Sequence, residues 1–171
     1  MKPENIRKDL ISNSVEETIE IGEQLAESLE AGAVIALNGD LGAGKTAFAQ
    51  GIAKGLGVED YVTSPTFTIM NVAEGRIPFY HFDVYRIAHQ DEMEEIGFSE
   101  FLYGDGVCVI EWADLVVELL PDHVIDVRIQ RIDDQVRKIG VRSVLRTGSV
   151  LRTGSESVDL TPKNPKKELP L

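Results

Sequence analysis

Eight consecutive residues, Gly39-Asp40-Leu41-Gly42-Ala43-Gly44-Lys45-Thr46, combine glycines, a lysine and a hydroxyl at the spacing G-x-x-x-x-G-K-[ST]. Glycines let the backbone curl with its N–H groups turned inward and let oxygen atoms approach the chain closely. A helix beginning at the lysine presents unpaired N–H groups and the positive end of its dipole. Lys45 adds a full charge on a flexible stem that reaches β- and γ-phosphates, and the Thr46 hydroxyl suits Mg²⁺. The spacing therefore predicts a magnesium-dependent nucleoside triphosphate site built from Asp40, Leu41, Gly42, Ala43, Gly44, Lys45, Thr46 and Ala47. Asp40 has two readings, a residue that assists a reacting group or a solvent-facing loop residue.

Such a loop works with an acid at the end of a nearby strand, which holds the ion directly or through water. Val107-Cys108-Val109-Ile110-Glu111 has that form, an apolar run ending on a carboxylate. Asp83, within Tyr80-His81-Phe82-Asp83-Val84-Tyr85-Arg86, is the second candidate. Two carboxylates near one ion would let one bind it and the other orient a water. The catalytic set is thus Lys45, Asp83 and Glu111, and the metal set Thr46, Glu111 and Asp83. Ser64-Pro65-Thr66 reads either as a switch-like loop, with Ser64 and Thr66 sensing the γ-phosphate, or as an ordinary strand start. His81 reads as a packed histidine before a general base. Arg86 suits phosphate charge and a salt bridge equally. The Asn-Lys-x-Asp tetrad that specifies guanine is absent from the sequence, which favours ATP over GTP.

These groups must be held by regular elements. Ser14 followed by Glu17 makes a capping box, and Val15, Ile19, Gly22, Leu25, Ala26 and Leu29 then fall on one helical face that Gly32 can end. Ala33–Leu37 is a short apolar run of the kind buried on both faces of a sheet. After the glycine loop, Phe48, Ala49, Ile52, Ala53 and Leu56 recur at helical spacing. Thr66–Met70 and Ile77–Val84 flank a turn at 73–76 and read as a hairpin. Asp91–Glu95 opens a short helix, and Val107–Ile110 is a second buried strand. Val124–Ile132 and Val136–Val141 form a closing antiparallel hairpin around Asp133-Asp134. The sum is an α/β fold, with helices packed on a central, partly parallel sheet.

The formal charge of −12 argues against broad nonspecific binding to nucleic acid. An acidic protein can still bind a polyanion through contact-range groups, because its overall field is screened beyond roughly 10 Å. Residues 143–171 carry five Lys and Arg against three Asp and Glu, a net of +2, so residues 1–142 carry −14. In that stretch Ser143-Val144-Leu145-Arg146-Thr147-Gly148 repeats as Ser149–Gly154, ahead of prolines 162, 165 and 170. The expected organisation is a domain over 1–142 and a flexible tail over 143–171 that the domain does not need for folding; a basic docking arm is the other reading. One cysteine, Cys108, cannot form an internal disulfide, and no apolar segment has the length of a signal or a span. A cytoplasmic location fits both.

Four patterns now stand in order: Gly39–Thr46, Ser-Pro-Thr-Phe (64–67), His-Phe-Asp-Val-Tyr-Arg (81–86) and Ile-Glu-Trp-Ala-Asp (110–114). Together they closely resemble the TsaE (YjeE) family over roughly residues 14–142. The resemblance implies a three-layer P-loop NTPase fold, with a mixed, mostly parallel sheet and ATP hydrolysis. It also implies a role in N6-threonylcarbamoylation of adenosine 37 (t6A) in tRNAs reading codons that begin with A. By that resemblance Lys45 and Thr46 contact nucleotide and Mg²⁺, Glu111 and Asp83 serve the metal, and Trp112 lies beside the nucleotide. Group transfer falls to a TsaB–TsaD complex, whose turnover this subunit's ATP hydrolysis supports, with tRNA met only through the complex. Ala47 stands where the family often has a second threonine. Two alternatives use the same loop, a small-molecule kinase and a nucleotide-gated interaction module. Only Arg76 and Arg86 lie between the loop and residue 127, too few for the arginine-rich lid of a kinase.

Overall fold

The computed structural model describes residues 6–59, 69–147, 150–153 and 156–159. In chain order the strands and helices are β1 (Arg7–Ser12), α1 (Val15–Glu27), β2 (Val34–Gly39), α2 (Lys45–Gly55), β3 (Met70–Ala73), β4 (Phe79–Asp83), α3 (Asp91–Glu95), α4 (Phe98–Leu102) and β5 (Val107–Glu111). A 3₁₀ segment, Ala113–Leu119, leads to β6 (His123–Arg131), β7 (Arg137–Thr147), β8 (Val150–Thr153) and β9 (Glu156–Asp159). The strands form one sheet in the order β3-β4-β5-β2-β6-β7-β8-β9, with β1 also on β7. Its centre, β4-β5-β2-β6, is parallel; β3 at one end and the β1, β7, β8 and β9 strands at the other are antiparallel.

Strand alternation separates two cores and makes three layers. Val34, Ala36, Cys108, Ile110 and Phe82 pack with α3, α4 and the 3₁₀ segment on one face. Ile35, Leu37, Val107, Val109 and Phe79 pack with α1 and α2 on the other. The same alternation puts His81, Asp83 and Glu111 on the α2 side, toward the helix that begins at Lys45. Helix α1 fixes α2 by close backbone approach. A Cβ on Gly51 would lie 2.1 Å from Ile19 O, and one on Gly22 would lie 2.4 Å from Phe48 O. Arg76, in the β3–β4 turn, closes the far end by donating from Nη2 to Ala26 O at 2.5 Å.

Most expected elements appear within a residue or two. Ser14 caps α1, accepting from Glu17 N at 3.1 Å. The return bond of the capping box lands one residue upstream, where Glu17 Oε2 accepts from Asn13 N at 2.7 Å. The hairpin before residue 84 has its described strands at β3 and β4; Thr66–Thr68 lie outside the described residues. Strand β1 is not among the expected elements. Its charged, exposed sequence carries little apolar pattern, and its partner on β7 lies about 130 residues away.

The boundary expected after residue 142 falls inside β7. That strand continues to Thr147 and pairs with β6 through Leu145, and Val144 sits in the core at 6 % exposure. The first copy of the repeat therefore belongs in part to the sheet, and β8 takes up the edge of β7 beyond β1. Residues 160–171 lie outside the described residues. Among the described residues no helix is long and apolar enough to cross a membrane.

Candidate nucleotide site

Strands β4, β5 and β2 are parallel neighbours, and their C-terminal ends meet at one place, the edge where open α/β sheets bind ligands. Asp83 and Glu111 are register partners there, and Glu111 is also the partner of Leu37, two residues before the glycine loop. The loop turns from β2 into α2 with Gly42 at φ 79° and Gly44 at φ 109°, left-handed conformations that glycine adopts without strain. Ala43 turns its side chain into the core, and Asp40 and Leu41 are exposed. A cleft of about 280 Å³ results, lined by Leu41, Gly42, Gly44, Lys45 and Thr46 from the loop and by Asp83, Tyr85, Glu111 and Trp112 from the strand ends. Asp40, Ala43 and Ala47 do not line it.

Lys45 lies at the bottom of this cleft at 5 % exposure. Its Nζ donates to Gly39 O at 2.7 Å and to Asp40 O at 2.9 Å, and lies 4.0 Å from the centroid of the Trp112 ring. Burial pulls its pKa down to about 8, against the opposing pull of the Glu111, Asp83 and Asp40 carboxylates. A buried cation gains from any added negative charge, and phosphate is such a charge.

Glu111 is 2 % exposed and held at both oxygens. Thr46 Oγ1 donates to Oε1 at 3.2 Å, and the fully buried His81 lies with Nε2 2.6 Å from Oε2. An ionised carboxylate only accepts, so with Glu111 ionised the imidazole supplies that proton and orients the acid. Asp83 accepts from Tyr85 N at 3.0 Å, and the Tyr85 ring lies 4.7 Å from that of Trp112. The structure thus brings together Lys45, Thr46, Asp83, Glu111 and Trp112. Ser64 and Thr66 lie outside the described residues. Cys108 is buried, its thiol pushed up to about 12 by burial, which makes it an inert core residue.

Two sets of supporting residues make contacts that no motif in the sequence announces, although Asp114 closes the Ile-Glu-Trp-Ala-Asp pattern. Arg137, at the start of β7, donates from Nε to Ala43 O at 2.8 Å and from Nη2 to Gly42 O at 3.4 Å. It holds these two loop carbonyls toward β7. The second set is a closed ring. Asn38 Oδ1 accepts from Asp114 N at 2.9 Å, and Arg128 donates to both Asp114 oxygens at 3.0 Å each. Arg128 Nε donates to Asp126 Oδ2 at 3.0 Å, and Asn38 Nδ2 reaches Asp126 Oδ1 at 3.5 Å. Burial opposes the Arg128 charge, but the Asp114 and Asp126 carboxylates outweigh it and raise its pKa.

Burial also pushes the Asp126 carboxyl up to about 6 from an ordinary value of 3.8, against the pull of Arg128. Between those values the folded chain keeps a proton that the unfolded chain has released. Stability from Asp126 is therefore greatest below the lower value and falls by roughly 3 kcal/mol as pH rises through the upper one. In thermal unfolding across this window, wild type is expected to lose ground against Asp126→Asn as pH rises. A wild type that gains ground instead would mean that Arg128 outweighs burial.

The family model described as "Threonylcarbamoyl adenosine biosynthesis protein TsaE" matches residues 12–139, which span both the glycine loop and the acid pair. The chain belongs to the TsaE family. It is 43 % identical over 131 residues to the tRNA threonylcarbamoyladenosine biosynthesis protein TsaE of Treponema pallidum (strain Nichols), covering 77 % of this chain and 97 % of that one. It is 45 % identical over 130 residues to the protein of the same name from Bacillus subtilis (strain 168), covering 75 % and 81 %. The crystal structure of Bacillus subtilis YdiB superposes with a TM-score of 0.68 at 32 % identity, covering 96 % of this chain and 98 % of that one. The fold is accordingly the P-loop NTPase fold of TsaE proteins.

Proposed function

We propose that this chain hydrolyses ATP with Mg²⁺ and thereby supports the TsaB–TsaD complex in t6A synthesis on tRNA, without transferring the group itself. One observation carries the reading. A desolvated Lys45 lies beneath a glycine loop in the same cleft as the Thr46 hydroxyl and the adjacent Asp83–Glu111 pair. The names of the relatives, which place them in threonylcarbamoyladenosine biosynthesis, support the pathway.

The residues fit a magnesium-bound triphosphate. Two carboxylates against one ammonium leave the cleft short of positive charge, and hard oxygen donors suit a hard cation. Thr46, Glu111 and Asp83 would hold the ion. Among the described residues no group of three or more His, Cys, Asp or Glu is placed to hold a metal by itself, so phosphate and water would complete the coordination. When bound, Mg²⁺ supplies charge neutralisation at the phosphate oxygens. The chain's own contribution is positional. Loop N–H groups and Lys45 bind the phosphates, His81 fixes the Glu111 carboxylate, and Trp112 walls the cleft beside Lys45.

The test is phosphate release from ATP and Mg²⁺, with and without TsaB–TsaD, using Lys45→Ala as the blank. Weak release that rises with the partners is the expected result. Full-speed release without them, or none in either case, would remove the proposed role. A kinase would put phosphate on an acceptor instead, but no arginine lines the described cleft to serve its lid.

A further inference from the structure

Trp112 adopts a backbone conformation that its bulk disfavours. It stands directly after β5 at φ 63° and ψ 35°, in the left-handed region, with no glycine to ease the turn. Such a conformation persists where the surroundings over-determine it, and it marks positions where geometry serves a site. Here the constraint is visible on both sides of the residue. Upstream, Trp112 N donates to Leu37 O at 3.0 Å. Downstream, Asp114 is held through its N–H by Asn38 and through both carboxylate oxygens by Arg128. Asn38 and Arg128 are register partners on β2 and β6, and Asp126 bridges them. The ring of four side chains is thus anchored on two central strands and grips the chain two residues past the tryptophan.

We propose that Arg128, braced by Asp126 and bonded to Asp114, is a positioning residue that holds the Trp112 indole over the Lys45 ammonium. The planar guanidinium suits this task because it engages Asp114 with two bonds while its third nitrogen engages Asp126. Lysine offers a point charge and cannot fix both carboxylates in one plane. The indole packs into the core on the α3–α4 face, and on its cleft side its neighbours are functional. Tyr85 is tilted against it at 39°, and Lys45 Nζ sits 4.0 Å from its centroid. Releasing Asp114 would let the 112–114 segment relax out of the left-handed conformation and carry the ring away from the lysine.

The chain has one tryptophan, so its fluorescence reports this position alone. Acrylamide quenching and emission anisotropy would be measured on nucleotide-free wild type, Arg128→Lys and Asp114→Asn, with Arg142→Lys as a control. Arg142 pairs with Asp9 at the β1–β7 edge, outside the ring. Wild type, whose indole is 6 % exposed, should quench poorly. Arg128→Lys and Asp114→Asn should quench severalfold more readily while keeping wild-type circular dichroism and cooperative unfolding; the control should match wild type. Two folded variants with wild-type quenching and anisotropy would overturn the proposal. If one variant fails to fold, the other decides.

A second arm rests on the proposed nucleotide reading. Affinity for a fluorescent ATP analogue should fall roughly tenfold in Arg128→Lys, about 1.4 kcal/mol. A freed indole with unchanged affinity would uphold the positioning role and count against Trp112 as a nucleotide contact. An indole that stays fixed while affinity falls would overturn the positioning role and leave the nucleotide reading intact.

Discussion

Replacing Lys45 with alanine is expected to weaken binding of ATP with Mg²⁺ by at least about a hundredfold and to leave the nucleotide-free protein as stable as wild type. The two halves of this result have one cause. The ammonium is buried, and burial has already drawn its pKa down to about 8, so the charge is held in place at a cost to the empty fold. What it gains there is two carbonyl acceptors, Gly39 O and Asp40 O, the Trp112 face and the attraction of Glu111 and Asp83, at the bottom of the cleft. Water can reach that cleft and replace the donor at both carbonyls, and the desolvation relieved by truncation outweighs the lost attraction to Glu111 and Asp83. The nucleotide side has no such substitute. Charge-assisted hydrogen bonds to phosphate contribute about 1.5–3 kcal/mol each, and two of them amount to two or more decades in affinity. Titration with a fluorescent ATP analogue, paired with thermal unfolding of the same preparations, reads both quantities. Affinity within a few-fold of wild type would show that the loop N–H groups alone bind the phosphates. A large drop in melting temperature would show that Lys45 is structural first.

What the sequence disclosed, and what it hid, divides by range. The glycine loop, the Ser14 cap and the acid at the end of β5 are local patterns, each set by a few adjacent residues, and all three stand where the spacing placed them. Glu111 was legible because an apolar run ending on a carboxylate describes a buried strand reaching a cleft. The pattern around His81 points to a packed histidine; it is fully buried, and it also orients Glu111. That second role depends on β4 lying beside β5, which periodicity cannot supply. Arg137 is the same case at longer range, since its loop contacts span 94 and 95 residues. The ring of Asn38, Asp114, Asp126 and Arg128 joins three segments, and none of the four stands in a motif that implies the others.

The tail shows the opposite hazard. The direct repeat and nearby prolines suggested a segment independent of the domain. Yet Ser-Val-Leu-Arg-Thr is also strand composition, with Val144 turned inward and Leu145 outward. The repeat overlies an alternation that β7 carries through the expected boundary. Burial of Val144 against the sheet outweighs any preference implied by sequence texture, because the edge of β6 would otherwise lie unpaired over residues 123–125.

Glu111→Gln is expected to lower ATP turnover by roughly a hundredfold or more at moderate magnesium while changing nucleotide affinity little, the pattern of a group that matters chiefly in the transition state. Glutamine keeps the shape and can still accept from His81, so the buried imidazole retains a partner. It lacks the charge, and with it the acid's hold on a hard cation. Glu111→Ala should lose turnover similarly and should also melt earlier. That truncation removes the buried contact between His81 Nε2 and Glu111, and losing a hydrogen bond at a buried polar group costs about 1–3 kcal/mol. Comparing the two variants separates chemistry from scaffolding at one position. Raising magnesium should recover part of the glutamine variant's rate, because the remaining donors, Thr46 and the adjacent Asp83, bind the ion more weakly without the second carboxylate. It should not recover the alanine variant's melting temperature. If Glu111→Gln turned over ATP at the wild-type rate with TsaB–TsaD present, the catalytic carboxylate would be Asp83, the only other acid lining the described cleft.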